Sequence, residues 1–279
     1  MNKKKILLVS DLPGYGKVAL SAMFPIFSHL GFTTYNLPTA LVSNTFNYGD
    51  YAMLDTFSYM ENTLKVWRKL NFRHDCICTG FVVSSKQVKI ICEYIREQRA
   101  LNPKLYVVAD PIMADDGKLY NGIAVDTVDY MRSMIEAADL IVPNFTEATF
   151  LTGRFVGART IDAGGLREII DRLRGRKERS VVITSVVDDV TGAHSVSGYD
   201  RESDAYFTVP FDYLPCSVPG TGDIFLSFLV SYKLQGFALQ DAVKKAAETV
   251  FRLIWLNKDN PDTFSGIPLE EYLHQIGED

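Results

Sequence analysis

Short apolar runs alternate with longer amphipathic segments along most of the 279-residue chain. The runs are continuously apolar, which is typical of strands covered by helices on both faces. The longer segments place apolar residues three and four positions apart, as a helix does. The pattern predicts strands at 5–10, 75–79, 105–109, 140–142 and 181–184, an edge strand at 206–209, and helices at 19–30, 84–99, 125–137, 161–173, 222–234 and 239–255.

Strands that alternate with helices in this way predict parallel βαβ units and an α/β fold. No internal repeat, low-complexity segment or linker interrupts the pattern, so a single domain over residues 1–279 is the simplest expectation. In such sheets, ligands bind beyond the carboxyl ends of the strands. This rule directs attention to polar residues that follow apolar runs, among them Ser10, Asp110, Asn144 and Thr184.

Composition narrows the range of partners. The hydrophobic content is 47%, enough for a large core, and the net charge of -5 argues against nucleic acid as a partner. The apolar run Ile6 to Val9 is too short for a signal peptide, and no stretch has the length of a membrane span. We therefore expect a cytoplasmic protein without a membrane partner. The four cysteines lack metal-binding spacing and are expected to be free thiols.

The stretch Gly220-Thr221-Gly222-Asp223 precedes an apolar run that predicts a buried helix. Glycines allow a tight turn and a close approach to a ligand, and the N–H groups of a helix N-terminus attract anions such as phosphate. Asp223 would then be a base facing the group that receives a phosphate. The alternative is structural, with Thr221 or Asp223 acting only as a helix cap.

Two further acidic segments follow predicted strands. Asp110, Asp115 and Asp116 come just after the third strand, and carboxylates there can hold Mg²⁺ near nucleotide phosphates. Asn144 and Glu147 are three residues apart after the next strand, which suits one face of a first helical turn. The alternatives are a solvated acidic turn and a Glu that complements the helix dipole. No GxxxxGK[ST] motif is present, which excludes a P-loop protein.

Motifs along nearly the whole chain resemble the pyridoxal kinases of the ribokinase-like superfamily. In chain order they are Ser10, Phe24-Pro25, Gly31-Phe32, Val42-Ser43-Asn44, Tyr48-Gly49, Thr79-Gly80, Asp110-Pro111-Ile112-Met113, Pro143-Asn144-Phe145-Thr146-Glu147, Ile183-Thr184-Ser185 and Gly220-Thr221-Gly222-Asp223. The resemblance implies a three-layer αβα sandwich with a mostly parallel central sheet. It also implies an enzyme that transfers a phosphoryl group from ATP to the 5′-hydroxymethyl group of pyridoxal, pyridoxine or pyridoxamine, giving pyridoxal 5′-phosphate in vitamin B6 salvage.

The resemblance also implies roles for individual residues. Asp223 would take the hydroxyl proton, and the amides from Gly220 through Thr221 to Gly222 would stabilise the transferred phosphoryl group. Mg²⁺, with a monovalent cation such as K⁺, would be arranged by Asp110, Asp115 and Glu147. The residues implied to contact ATP are Asp110, Asn144, Glu147, Thr184, Ser185 and Gly220 to Gly222. Those implied to contact the substrate are Ser10, Ser43, Asn47, Phe81 and Asp223.

The substrate side departs from the pattern of that family. The usual Ser-Asn-His-Thr loop reads Ser43-Asn44-Thr45-Phe46, and the usual Gly-Tyr is Gly80-Phe81. Lost hydrogen-bond partners can change substrate discrimination by orders of magnitude. Two other readings therefore stay open: a kinase of the same fold acting on hydroxymethylpyrimidine or its phosphate, and a non-catalytic vitamin-binding homologue. A sugar kinase fits less well, because no separate lid segment precedes the first helix. A homodimer is the expectation from the family.

Overall fold

The computed structural model describes residues 3–120, 122–176 and 178–276. The strands are β1 Lys5–Pro13, β2 Thr33–Val42, β3 Met53–Asp55, β4 Cys76–Thr79, β5 Tyr106–Ala109, β6 Ala114–Asp115, β7 Lys118–Leu119, β8 Leu140–Ile141, β9 Ser180–Val187, β10 His194–Asp200 and β11 Ala205–Pro210. The α-helices are α1 Ala19–His29, α2 Phe57–Lys69, α3 Ser85–Leu101, α4 Thr127–Ile135, α5 Phe145–Thr152, α6 Ala163–Leu173, α7 Thr221–Gln235, α8 Leu239–Asn257 and α9 Leu269–Tyr272.

The chain divides into two compact units. The first contains Met1–Tyr106 and Leu214–Asp279, and the second contains Val107–Tyr213. The first unit therefore combines two stretches of chain that are far apart in sequence. The expected single domain over residues 1–279 stays a prediction.

In the first unit, β1 is the central strand. It pairs in parallel with β2 and with β4, and β3 adds antiparallel to β2. Ile6 to Val9 are at most 1% exposed, so both faces of β1 are covered. Helix α1 packs against β1 and α7, and α7 packs against α8. Every residue of α7 from Asp223 to Ser231 is buried, which agrees with the buried helix predicted there.

In the second unit, β5, β8 and β9 pair in parallel, and β10 and β11 continue the sheet in the antiparallel sense. Strand β11 lies at the edge, as its sequence predicts. The two short strands β6 and β7 form a separate hairpin directly after the acidic segment at Asp110. This hairpin brings the segment from Met113 to Gly117 over the start of α5, where both elements contribute to the candidate site.

Each strand and helix that the hydrophobic pattern predicts is present, with shifted ends. The pattern misses β2, β10 and α2, among others. Strand β2 contains Pro38 and several polar residues, which hide its strand character. Helix α2 buries only Met60 and Leu64, so it lacks a continuous apolar face. Among the described residues, no helix combines the length and the apolar composition needed to cross a lipid bilayer.

Candidate active site

The turn before α7 requires glycine at position 220. Gly220 is the N-cap of α7 and has a left-handed backbone with φ of 82°. A Cβ at this position would lie 2.1 Å from the carbonyl oxygen of Lys17, which is far inside contact distance. Gly222, two residues further along, has no neighbouring atom within 4 Å of the position that a Cβ would take. The first glycine therefore packs the turn against the loop before α1, and the second leaves open space above the helix N-terminus.

Asp223 lies at the third position of α7 and is 8% exposed. Its Oδ2 accepts the backbone N–H of Ala19, the first residue of α1, at 2.8 Å. Its Oδ1 is buried and has no hydrogen-bond partner within the described part of the chain. Burial raises the pKa of Asp223 to about 6, and the N–H of Ala19 opposes that rise. The carboxylate is thus held in place by one oxygen and leaves the other open to accept a proton.

Ser10 and Phe81, both expected to contact the substrate, contact each other. The hydroxyl of Ser10 accepts the N–H of Phe81 at 3.2 Å and donates to the carboxylate of Asp11 at 3.4 Å. The Phe81 ring meets the ring of Phe46 edge-on, with centroids 6.0 Å apart. The carbonyl of Phe81 accepts the hydroxyl of Thr39 at 2.7 Å. Phe46 and Phe81, two of the three residues that depart from the family pattern, therefore pack together, with Phe81 bonded to Ser10.

Ser43 and Asn47 lie on the loop after β2 and are exposed. Ser43 donates its hydroxyl to the side chain of Asn44 at 2.6 Å and accepts the N–H of Ala52 at 2.9 Å. These bonds shape the loop itself. Asn47 sits in the single 3₁₀ turn Phe46–Tyr48, and its side chain faces solvent. The structure thus places both residues on the predicted substrate loop.

A segment near the C-terminus anchors this loop and the loop before α1, through contacts that no sequence motif indicates. The carboxylate of Asp262 accepts the hydroxyls of Tyr15 and Tyr48 at 2.9 and 2.6 Å. The carbonyl of Phe264 accepts the hydroxyl of Thr45 at 2.8 Å, and the next carbonyl accepts the N–H of Lys17 at 2.7 Å. Because the partners are more than 200 residues apart, no local pattern could have indicated these contacts.

In the second unit, Asn144 and Glu147 form a complete capping box at the start of α5. The side chain of Asn144 accepts the N–H of Glu147, and Glu147 Oε2 accepts the N–H of Asn144, both at 2.9 Å. Glu147 Oε1 accepts the N–H of Met113 at 3.0 Å, and Asn144 donates its amide to the carbonyl of Ala114 at 2.7 Å. Burial raises the pKa of Glu147 to about 8, and these N–H groups oppose that rise. The pair binds the hairpin to the helix start.

The remaining expected residues of this unit lie on strands or directly after them. Asp110 directly follows β5 and is 8% exposed, and Asp115 lies on β6 and accepts the N–H of Asp116 at 2.8 Å. Thr184 lies in β9, where its N–H bonds the carbonyl of Pro143 at 3.0 Å. Ser185 has a left-handed backbone with φ of 57°, an uncommon conformation for a residue with a side chain. Across the described ranges, no three His, Cys, Asp or Glu side chains are grouped to hold a metal ion.

The sequence model of one enzyme family, phosphomethylpyrimidine kinase, matches residues 26–262. The match covers most of the chain and includes the Asp110, Asn144–Glu147 and Gly220–Asp223 segments. This chain belongs to the phosphomethylpyrimidine kinase family.

Solved structures and curated proteins extend this assignment. A candidate phosphomethylpyrimidine kinase from Bacteroides thetaiotaomicron, solved with pyridoxal, is 34% identical, with a TM-score of 0.91 and coverage of 98% of this chain and 96% of that one. Pyridoxal kinase from Lactobacillus plantarum is 26% identical, with a TM-score of 0.86 and coverage of 98% and 96%. A candidate pyridoxal kinase from Schizosaccharomyces pombe is 27% identical over 96% of this chain and 89% of its own.

These similarities confirm two expectations from the sequence. The resemblance to pyridoxal kinases is confirmed along almost the whole chain, and so is the ribokinase-like α/β fold with its mostly parallel sheet. The assignment of individual site residues stays a prediction. The sequence motifs did not include Asp11, a buried acidic residue directly after Ser10. The signal available was a carboxylate at the end of an apolar strand, where ligands of α/β sheets bind.

Proposed function

We propose that this protein transfers the terminal phosphoryl group of ATP to the 5′-hydroxymethyl group of pyridoxal, pyridoxine or pyridoxamine. The proposal rests on the burial and the hydrogen bonding of the Asp223 carboxylate. It is buried at a helix N-terminus, fixed through Oδ2 to the N–H of Ala19, and its Oδ1 has no partner in the described chain. A general base needs this combination of a fixed orientation and an open oxygen. The pyridoxal kinases among the relatives support the substrate class.

The chemistry divides between Asp223 and the turn before it. Asp223 accepts the proton of the substrate hydroxyl, which makes that oxygen the nucleophile toward the terminal phosphorus of ATP. The N–H groups at the start of α7, in the stretch Gly220 to Gly222, stabilise negative charge on the transferred group. Gly222 offers room for this contact because nothing lies within 4 Å of its would-be Cβ. ADP and the phosphorylated alcohol are the products.

We further propose that Asp110, Asn144, Glu147, Thr184 and Ser185 serve ATP and its metal ion. Mg²⁺ prefers carboxylate oxygens, so Asp110 and Asp115 have suitable chemistry. Both oxygens of Glu147 already accept backbone N–H groups, so Glu147 would contact the metal ion through a water molecule. Its bond to the N–H of Met113 also positions the segment between Asp110 and Asp115. Bound Mg²⁺ would neutralise charge on the phosphates. The monovalent cation, the cytoplasmic location and the homodimer remain expectations from the sequence.

A substrate panel tests the proposal. The protein is incubated with Mg-ATP and, separately, pyridoxal, pyridoxine, pyridoxamine and hydroxymethylpyrimidine, and phosphorylated products are identified by mass. We expect transfer to at least one B6 vitamer. Transfer to the pyrimidine alone would favour the second candidate, a hydroxymethylpyrimidine kinase, which the family match supports. Ligand binding without transfer to any compound would indicate a non-catalytic binder.

A further inference from the structure

Asp11 occupies an irregular point in the sheet. In the β1–β2 ladder, Ser10 pairs with Pro38 and Leu12 pairs with Leu41, so the register shifts at Asp11. Such bulges redirect a side chain and occur often beside active sites. Asp11 is 7% exposed and lies at the carboxyl end of β1, the end at which parallel sheets bind ligands. The sheet thus presents a carboxylate where a regular strand would have continued its pairing.

The hydroxyl of Ser10 already forms two hydrogen bonds within the protein. It accepts the N–H of Phe81 and donates its hydrogen to Asp11, and Ser10 is 0% exposed. Asp11 is the more exposed member of this pair. The carboxylate of Asp11 has further capacity to accept hydrogen bonds, whereas the only hydrogen of the Ser10 hydroxyl is already donated to Asp11.

Asp11 has no compensating cation. Within the described residues no Lys, Arg or His lies within salt-bridge distance of it, and Lys17, the next cationic residue after it in the chain, pairs with Glu270. Burial, and secondarily the charge of Asp223, raises the pKa of Asp11 to about 7. Two buried carboxylates that influence each other destabilise the fold, so a bound group that donates hydrogen bonds would relieve a cost that the free protein carries.

We propose that Asp11 determines substrate specificity by accepting a hydrogen bond from a donor substituent on the substrate ring, such as an amino, ammonium or hydroxyl group. This inference rests on the proposed kinase function and deepens it. Among the B6 vitamers, pyridoxamine carries an ammonium group and pyridoxine a hydroxyl where pyridoxal carries an aldehyde, which only accepts. We assign Asp11 to this varying substituent and not to the ring hydroxyl that all three vitamers share, so its carboxylate favours pyridoxamine and pyridoxine over pyridoxal.

The substitution Asp11→Asn tests this, because it keeps the shape of the side chain and replaces one acceptor oxygen by a donor. We expect the ratio of kcat/KM for pyridoxamine to that for pyridoxal to fall about 10- to 100-fold, the usual effect of losing a hydrogen bond to a charged group. Asp241→Asn, an exposed aspartate in the first turn of α8, is the matched control and should leave the ratio unchanged.

A second readout separates specificity from folding and from catalysis. Equilibrium titration of pyridoxamine and pyridoxal without ATP should show the same change in preference, for Asp11→Asn and for Asp11→Ser. An equal loss of kcat on all substrates, with an unchanged ratio, would overturn the inference. If the unsubstituted protein phosphorylates no B6 vitamer, the proposed function fails instead, and the titration still shows whether Asp11 selects donor-bearing rings.

Discussion

Two acidic residues of this protein occupy the same position of a helix and have opposite surroundings. Asp223 and Glu147 are each the third residue of a helix, α7 and α5, and both are buried. Glu147 accepts N–H groups with both oxygens, one of them from its own N-cap residue, Asn144. Asp223 accepts one N–H from a different helix and keeps Oδ1 open.

The N-cap residue explains the difference. Asn144 has a side chain that caps α5, and its extended backbone presents an N–H to Glu147. Gly220 has no side chain and a left-handed backbone, so α7 begins without a side-chain cap. A capping box holds an acid in place for stability. A glycine N-cap leaves the helix N–H groups and the acid available to a ligand. Two similar sequence patterns are thus distinguished by one residue, three positions before the acid.

The largest effect should come from Asp223→Asn. Removal of a general base lowers turnover by about 100- to 10,000-fold, while the amide side chain can still accept the N–H of Ala19 and preserve the turn. Steady-state kinetics with the preferred vitamer would measure kcat, and titration with Mg-ATP would measure nucleotide affinity, which should stay close to that of the unsubstituted protein.

The control for this experiment is Asp241→Asn. Asp241 is the third residue of α8, so it shares the helix position of Asp223, but it is exposed. Its removal should change kcat less than twofold. Turnover of Asp223→Asn at the level of the control would remove Asp223 from the role of base.

The sequence predicted much of the first unit because its signals are local. A continuous apolar run identifies β1, and glycines followed by an apolar run identify the start of α7. The Asn-x-x-Glu spacing predicted a first helical turn in the second unit, with Glu147 either near a metal ion or complementing the helix dipole, but it did not predict the capping box that Asn144 and Glu147 form. The sequence could not show that Asp223 contacts the N–H of Ala19, because the two residues are 204 positions apart. Nor could it show that Asp262 holds Tyr15 and Tyr48, for the same reason.

The second prediction concerns the two glycines before Asp223. Gly220→Ala should lower the free energy of unfolding by about 1–3 kcal/mol from backbone strain alone, and its Cβ would also displace the carbonyl of Lys17. Gly222→Ala has open space around its Cβ and should raise stability by about 0.5–1 kcal/mol, as alanine does inside a helix.

Activity then separates the roles of the two glycines. Chemical denaturation measures the stability of each variant, and kcat measures its chemistry. Gly222→Ala should fold well and turn over more slowly, because a methyl group enters the space above the helix N-terminus. Full activity in Gly222→Ala would show that no phosphoryl group approaches that amide closely. Equal stability of the two variants would contradict the role of Gly220 in packing the turn.

The third prediction concerns Glu147, where the main effect should be on stability. Glu147→Gln replaces one acceptor oxygen by an amide that cannot accept the N–H groups around it. We expect a loss of about 0.5–2 kcal/mol, the range for a lost helix cap, and Asn144→Ala should lose a similar amount from the other half of the box. Thermal and urea unfolding would measure both. A Glu147→Gln variant as stable as the unsubstituted protein would show that the box contributes little.

The smallest predicted effect is a pH dependence that compares the unsubstituted protein with Asp223→Asn. Burial places the pKa of Asp223 at about 6 in the fold, above the ordinary value of 3.8. The folded state therefore binds the proton more tightly than the unfolded chain, so ionisation of Asp223 costs stability as pH rises through about 4 to 6. Asparagine carries no such cost, and each pKa unit corresponds to about 1.4 kcal/mol. The stability advantage of Asp223→Asn should therefore grow by about 1 kcal/mol between pH 5 and pH 7, as measured by urea unfolding at the two pH values. A constant difference would mean that Asp223 is as well solvated in the fold as in the unfolded chain, and the unpartnered Oδ1 that distinguishes Asp223 from Glu147 would then carry no electrostatic cost.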